Sequence, residues 1–156
     1  IRSIARVHEM LYHGSNLARV ELTHYLRSLA ADIVSSFDPA QRIELQLDLD
    51  AIELHIDRAI PVGLIFHELV VNAYKHAFED GQSGLIRVTV EAADSTLVLR
   101  VSDTGAGFPD GGVPTSGERS LTLVRALSSQ IDGTVQFASE PAGATVVVQA
   151  PLPAGG

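Results

Sequence analysis

Residues 67–78 read HELVVNAYKHAF, and in this stretch both the polar and the apolar side chains recur at helical spacing, on separate faces of the helix. Glu68, Asn72 and His76 are four residues apart, so they share one face of a predicted helix, with Lys75 at the edge of that face. A separate apolar stripe runs through the segment 60–78 and is formed by Val62, Phe66, Leu69, Ala73 and Ala77. One helix therefore presents a carboxylate, an amide, an imidazole and an ammonium together.

This polar face has two interpretations. In the first, Glu68 and Asn72 are simply solvated, which is the commoner situation for an isolated helix. The second is functional and needs a partner site elsewhere in the chain. An Asn amide oxygen suits a hard cation such as Mg²⁺, and Lys and His side chains suit phosphate oxygens.

A second group of polar and small residues follows a predicted strand, where residues 101–109 read VSDTGAGFP. Asp103 stands at the strand end and can accept a hydrogen bond from an exocyclic amine such as that of adenine. Gly105 and Gly107 follow it and allow a ligand to approach the backbone closely. An ordinary Asp/Gly turn is the alternative interpretation. The chain contains no Walker loop and no dinucleotide fingerprint.

The remaining periodicity predicts an α+β fold. Helical spacing recurs near 1–12, 22–37 and 121–131, where Gly133 is expected to cap the last helix. Period-two alternation predicts strands at 43–49, 52–56, 86–90, 97–101, 135–137 and 146–148. The order α α β β α β β α β β indicates a two-layer α/β sandwich, with helices on one face of a mixed, mostly antiparallel sheet.

Composition narrows the functional classes. The chain has 156 residues and is 46% hydrophobic, which suffices for one domain with a core. Its formal charge of -8 argues against nucleic acid and membrane surfaces as partners. The absence of cysteine excludes disulfides and thiolate metal sites and fits a cytoplasmic protein. Because Ile1 lies inside a helical pattern, we expect a fragment of a longer protein.

The two motifs, in this order, resemble the nucleotide-binding fold shared by gyrase, the Hsp90 chaperones, histidine kinases and MutL. HELVVNAYKHAF resembles the N box, and VSDTGAGFP resembles the G1 box. Residues 116–134 are similar to the region of the G2 box, and GATVVVQAPLP (143–153) is similar to the closing strand. VHEMLY (7–12) resembles the V-H-E-x-L-Y stretch in the dimerisation domain of one histidine kinase subfamily. A related subfamily, named for a His-Trp-Glu set, fits less well because the chain has no Trp.

This resemblance implies that ATP lies between the 60–78 helix and the glycine loop. Asp103 would bind the adenine amino group, and Gly105 and Gly107 would shape the wall beside the base. Thr145 would support Asp103, directly or through water. The central prediction is that residues 68–76 and 103–107 face each other across one nucleotide-sized cleft.

At the phosphates, the resemblance assigns the polar helix face. Asn72 would hold Mg²⁺, and Lys75 and His76 would lie near the phosphates. Glu68 would neighbour the metal or polarise the attacking imidazole. Glu68 and Asn72 are therefore the predicted catalytic residues.

The G2 region departs from the family pattern. Family members usually have a glycine where Ser120 stands, just before Leu121, and a glycine there opens the helix N-terminus to phosphate. Ser120 can cap the helix, or it can crowd the phosphates. The resemblance places a lid near 109–119, with Arg119 as a candidate phosphate contact.

The resemblance also implies a domain organisation and a reaction. Residues 1–15 would end the dimerisation helices, and 16–156 would form the ATP-binding catalytic domain. The γ-phosphoryl group would pass to a histidine upstream of Ile1, so this fragment alone should not phosphorylate itself. The partners would be that phosphoacceptor helix, a response regulator receiver domain and a second copy in a full-length homodimer.

Three alternatives stay open at this stage. A degenerate kinase-like scaffold with weak or no ATP binding is supported mainly by Ser120. An ATPase clamp of the gyrase or MutL kind would carry a further transducer domain. A serine kinase acting on an anti-sigma partner would not carry the leading helical segment.

Overall fold

The computed structural model describes residues 19–78, 82–105, 119–140 and 143–152. Within these ranges the chain forms three helices, a five-stranded sheet and a small two-stranded sheet. In chain order the elements are β1 (Arg19–Glu21), α1 (Leu22–Phe37), β2 (Ile43–Leu49), β3 (Glu53–His55), α2 (Ile56–His76), β4 (Gly84–Ala93), β5 (Thr96–Asp103), α3 (Arg119–Gln130), β6 (Thr134–Glu140) and β7 (Gly143–Pro151). The predicted first helix, the V-H-E-x-L-Y stretch and the predicted domain boundary near residue 15 lie outside the described residues.

The large sheet has the strand order β2-β4-β5-β7-β6. β2 pairs with β4 in parallel, and the other neighbouring pairs are antiparallel. One face of the sheet packs against the helices, because alternate strand residues are buried there and their neighbours are not. The buried strand residues of this face include Ile86, Val88, Val90, Leu97, Leu99, Val101, Val146 and Val148. The predicted two-layer, mostly antiparallel α+β fold is confirmed.

α1 forms where its apolar residues recur at helical spacing. Leu22, Tyr25, Leu26, Leu29 and Ile33 are all buried, as the sequence predicts. The Glu21 carboxylate caps the helix by accepting from the backbone N–H of His24 at 2.9 Å. The Tyr25 ring packs directly on Gly63 of α2, where any Cβ would overlap it.

α2 begins earlier than its predicted start near residue 60. The Nδ1 atom of His55 accepts a hydrogen bond from the backbone N–H of Asp57 at 3.2 Å, which satisfies a free donor of the first turn. Because this cap starts the helix at Ile56, the predicted strand 52–56 ends at His55. Pro61 lies inside the helix, near its beginning.

The tight turns also follow the sequence, with one difference. Asp94 and Ser95 have φ angles of 52° and 61°, which suits a two-residue hairpin between β4 and β5. After α3, the N–H of Gly133 closes the helix end on the carbonyl of Ser128 at 2.7 Å. The left-handed residue is Asp132, with a φ of 58°, and not Gly133 as a glycine cap would predict. A Cβ at Gly133 would lie only 2.7 Å from the Gln149 carbonyl oxygen, so close packing on β7 favours glycine here.

Candidate nucleotide-binding site

The predicted polar face of α2 is not uniformly solvated. Glu68 and Asn72 are half-buried, whereas Lys75 and His76 are exposed. Asn72 follows Arg58 by two heptads and therefore lies on nearly the same side of the helix. That side is turned toward α3, because Arg58 contacts the residues that follow α3.

α3 runs antiparallel to α2, and one arginine shows this. The Nη1 atom of Arg58 donates to the Ile131 carbonyl at 3.3 Å and to the Pro151 carbonyl at 3.1 Å. The end of α3 therefore lies beside the beginning of α2, and the two helices pack along each other. α3 has 12 residues, which at about 1.5 Å per residue span roughly 18 Å. Its beginning therefore lies near the level of Asn72, about 21 Å along α2 from Arg58.

The beginning of α3 offers backbone groups suited to an anion. The first N–H groups of a helix have no partner within it, and the helix dipole adds partial positive charge at that end. Leu121 lies in this first turn and is half-buried. The side-chain contacts predicted for Arg119 and Ser120, and the predicted roles of Gly107 and of the lid, fall outside the described residues and side chains.

Asp103 ends β5 with a half-buried carboxylate. Its Oδ1 atom accepts from the backbone N–H of Gly105 at 2.9 Å and from that of Ala144 at 3.4 Å. Burial raises the pKa of Asp103, and these two donors oppose that shift by stabilising the charged form. Among the described residues, both hydrogen bonds to this carboxylate end on Oδ1, so Oδ2 can accept from a ligand.

Gly105 joins the two predicted motifs. A Cβ added at Gly105 would overlap the backbone carbonyl of Ala77, the residue that caps the end of α2. The glycine loop therefore starts against the same end of α2 that carries Asn72 and His76. This close backbone approach explains why glycine stands here.

The last strand differs from the prediction for Thr145. The register pairs Thr145 with Ser102, and residues directly opposite on antiparallel strands point to the same face. Asp103 pairs with the buried Ile86, so its side chain lies on the other face, toward the helices. The side chain of Thr145 therefore does not support Asp103 directly in this arrangement. Ala144 lies beside Asp103 instead and uses its backbone N–H.

Gly143 brings that strand close to Asp103. Its φ is 141°, a conformation that favours glycine, and a Cβ there would overlap the carbonyl oxygen of Asp103. The contacts of Gly143 and Ala144 with Asp103 were not predicted from the sequence. The signal that could have indicated Ala144 is the period-two alternation of residues 144–148, which places residues 144, 146 and 148 on the buried face.

Lys75 points away from the predicted phosphate position. Its Nζ atom lies 5.8 Å from the centroid of the Phe37 ring at the end of α1. This is the distance of a cation–π contact. The ammonium thus lies on the α1 side of α2, whereas Asn72 lies on the α3 side.

His67 precedes the polar face of α2 and is not among the predicted site residues. It is half-buried, and its Nδ1 atom is buried without a hydrogen-bond partner among the described residues. Burial lowers the pKa of His67, while Glu68 raises it and Lys75 lowers it. A neutral imidazole is the consequence at pH 7.

Comparison with known proteins identifies the family. The family described as histidine kinase-, DNA gyrase B-, and HSP90-like ATPase matches residues 57–154, and one described as histidine kinase matches residues 1–37. Over 135 residues the chain is 27% identical to Blue-light-activated histidine kinase 2 of Erythrobacter litoralis. The aligned region covers 85% of this chain and 39% of that protein. Over 158 residues it is 30% identical to Sensor histidine kinase PdtaS of Mycobacterium tuberculosis. This aligned region covers 97% of this chain and 31% of that protein.

Solved structures agree with these relatives. The histidine kinase domain of an Erythrobacter litoralis blue-light activated histidine kinase superposes with a TM-score of 0.83 at 25% identity, covering 97% of this chain and 74% of that one. Within the described residues, no helix is long and apolar enough to cross a membrane. The chain spans 39% and 31% of the length of the two curated relatives above. The chain therefore belongs to the family of histidine kinase-, DNA gyrase B- and HSP90-like ATPases.

Proposed function

We propose that this chain binds Mg²⁺-ATP and transfers the γ-phosphoryl group to a histidine upstream of Ile1 in a longer sensor kinase. The observation that carries this proposal is the contact of Gly105 with the Ala77 carbonyl. It brings the carboxylate of Asp103 to the end of α2 that carries Asn72. An acceptor for a nucleobase and a candidate metal ligand thereby lie at one end of the helix layer.

The nucleobase end of the site rests on Asp103. Its Oδ1 atom is held by two backbone N–H groups, and its Oδ2 atom is left to accept from the adenine amino group. A carboxylate discriminates in favour of a base that presents a donor and against one that presents a carbonyl oxygen. At position 6 of a purine, where adenine has an amino group and guanine a carbonyl oxygen, this chemistry favours adenine.

The phosphate end rests on α2 and α3. The beginning of α3 lies near the level of Asn72 and supplies N–H groups and partial positive charge to the phosphates. Among the described residues, no group of three or more His, Asp or Glu side chains could hold a metal ion. Mg²⁺ would therefore be held by Asn72 together with phosphate oxygens and water, which is how proteins usually bind it beside nucleotides. Its charge would neutralise that of the phosphates during transfer.

The reaction forms a bond from the γ-phosphorus to an imidazole nitrogen and breaks the bond to the bridging oxygen, so that ADP leaves. The protein contributes chiefly by positioning these groups in line. Glu68 is half-buried one helical turn before Asn72, a place from which it could orient the incoming imidazole. His76 is exposed at the same end of α2 and is proposed as a phosphate contact.

The whole kinase is proposed to work as a homodimer in the cytoplasm, where ATP is supplied. Its own upstream helix would provide the acceptor histidine, and a response regulator receiver domain would take the phosphoryl group onward. The similarity of residues 1–37 to a histidine kinase family supports this arrangement.

Titration calorimetry with ATP and Mg²⁺ tests the binding step. Asp103→Ala should remove measurable binding, while Asp48→Ala, an exposed carboxylate on β2, should leave it unchanged. Equal affinity of both variants and the wild type would contradict the role of Asp103. If the wild type bound no ATP at all, the non-catalytic scaffold would become the better interpretation.

The transfer step is tested in the full-length protein with ATP labelled at the γ-phosphate. Wild type should acquire acid-labile phosphate, and Asn72→Ala should lose it together with Mg²⁺-dependent binding. An Asn72→Ala variant whose ATP binding still depends on Mg²⁺ as in the wild type, and which still phosphorylates itself, would remove Asn72 from the metal site.

A further inference from the structure

The ladder between β4 and β5 ends on a side chain. The backbone N–H of Thr104 donates to the Leu85 carbonyl at 3.1 Å, as a regular ladder requires. The return bond is different, because the N–H of Leu85 donates to the hydroxyl Oγ1 of Thr104, also at 3.1 Å. A hydroxyl thus takes the place of a backbone carbonyl as the acceptor.

This substitution frees the main chain to turn. Because the Leu85 N–H is satisfied by a side chain, the Thr104 carbonyl is not required by the ladder. The chain can therefore leave the sheet at once and bring Gly105 against the Ala77 carbonyl. A valine at 104 would leave the Leu85 N–H without this acceptor at the strand end.

The same residue lies at the centre of the turn that holds the carboxylate. The Gly105 N–H donates to Asp103 Oδ1 at 2.9 Å, and this bond spans Thr104. The two bonds to Leu85 fix the backbone of Thr104, and the backbone of Thr104 sets the distance between the Asp103 carboxylate and the Gly105 N–H. The direction of the free Oδ2 atom of Asp103 therefore depends on all three of these hydrogen bonds.

We propose that Thr104 is a positioning residue that aims Asp103 at the exocyclic amine of the nucleobase, and so sets the base specificity of the site. This inference rests on the proposed ATP binding. Thr104 is itself exposed, and its hydroxyl accepts from the Leu85 N–H and is not assigned a contact with the nucleotide. Its effect passes through Asp103 alone, so it should change recognition of the amine and spare recognition of the phosphates.

The test compares two nucleotides that differ only in that amine. Affinities for ATP and for purine riboside triphosphate, which lacks the 6-amino group, are measured by calorimetry with Mg²⁺. The wild type should prefer ATP by about tenfold or more, because one hydrogen bond to a charged group changes affinity by about that factor. Thr104→Val should reduce this preference about three- to tenfold, and Thr104→Ser, which keeps the hydroxyl, should restore it.

Thr96→Val is the matched control. Thr96 begins the same strand at its far end and pairs with Pro151, far from Asp103. It should leave the preference for ATP unchanged. If Thr104→Val fails to fold, Thr104→Ala removes the same hydroxyl without a bulky replacement, and the same reduction is expected.

The outcomes separate the two proposals. A wild type with no preference for ATP would refute adenine recognition by Asp103, and the positioning role would fall with it. A wild type that prefers ATP, with a Thr104→Val variant that keeps that preference, would refute the positioning role only. An equal loss of affinity for both nucleotides in Thr104→Val would also refute it, because a general structural effect does not depend on the amine.

Discussion

Replacing Gly105 by alanine tests the contact that joins the two halves of the site. The added Cβ would lie 2.5 Å from the carbonyl carbon of Ala77 and 2.7 Å from its Cβ, and it would overlap the carbonyl oxygen. Ordinary carbon–carbon contacts begin near 3.5 Å, so the loop must move by roughly 1 Å. Most of the obstructing atoms belong to backbone at the end of α2, and they cannot rotate away.

The expected cost follows from this overlap. Overpacking of this kind destabilises a folded protein by about 1–3 kcal/mol. A displacement of 1 Å also stretches the 2.9 Å bond from the Gly105 N–H to Asp103, so the carboxylate loses one of its two donors. We expect Gly105→Ala to lower ATP affinity about tenfold or more, because a charge-assisted hydrogen bond is worth about 1.5–3 kcal/mol.

Calorimetry measures the affinity, and urea unfolding measures the free energy of unfolding of the same samples. Gly133→Ala is the matched control, because a Cβ there also meets backbone, the Gln149 carbonyl oxygen at 2.7 Å, but beyond the end of α3 that lies away from the site. Gly133→Ala should therefore lower the free energy of unfolding but keep ATP affinity near the wild-type value. A folded Gly105→Ala variant with wild-type affinity and an unchanged urea midpoint would refute the contact.

Two further predictions concern stability. Arg58→Met should lower the free energy of unfolding by about 1–3 kcal/mol, because two carbonyls at the ends of α3 and β7 lose a charged donor. Arg100→Met, on the exposed face of the sheet, should lower the free energy of unfolding far less. Equal losses for the two variants in urea unfolding would refute this role of Arg58. For His67, burial holds the folded-state pKa below its ordinary 6.5, so below that pH the unfolded chain binds more protons and stability falls as the pH falls. His67→Gln should flatten this slope below pH 6.5 when urea unfolding is measured at a series of pH values, and an unchanged slope would refute the assignment.

Much of the fold could be predicted because the hydrophobic periodicity of each segment specifies its helix or strand locally. The apolar stripes of α1 and α2 and the alternation along β4 and β5 each specify one face, and all are confirmed by burial. The start of α2 could not be predicted from periodicity. Ile52, Leu54 and Ile56 alternate as in a strand, and the alternation continues into the helix because Ile56 fits either pattern. The His55 cap decides between them, and capping geometry is not a property of hydrophobic spacing.

The candidate site shows the same division. The residue types at 68–76 and 103–105 could be singled out from the sequence because the two patterns occur together, whereas each alone has an ordinary structural explanation. Where the Lys75 ammonium lies could not. A lysine at the edge of a helix face reaches several neighbours, and in the structure the exposed ring of Phe37 lies within its reach.

The position of Thr145 shows why register must accompany motif. A one-residue shift along β7 moves a side chain from one face of the sheet to the other, so a hydroxyl near the right place in sequence can lie on the wrong side. With Ala144 on the helix-facing side, Asp103 takes its two hydrogen bonds from backbone N–H groups. Backbone donors are set by the path of the chain, and three residues fix that path here: Gly105 against Ala77, Gly143 against the Asp103 carbonyl, and Thr104 on Leu85. The specificity of the carboxylate therefore depends on residues that need not touch the nucleotide.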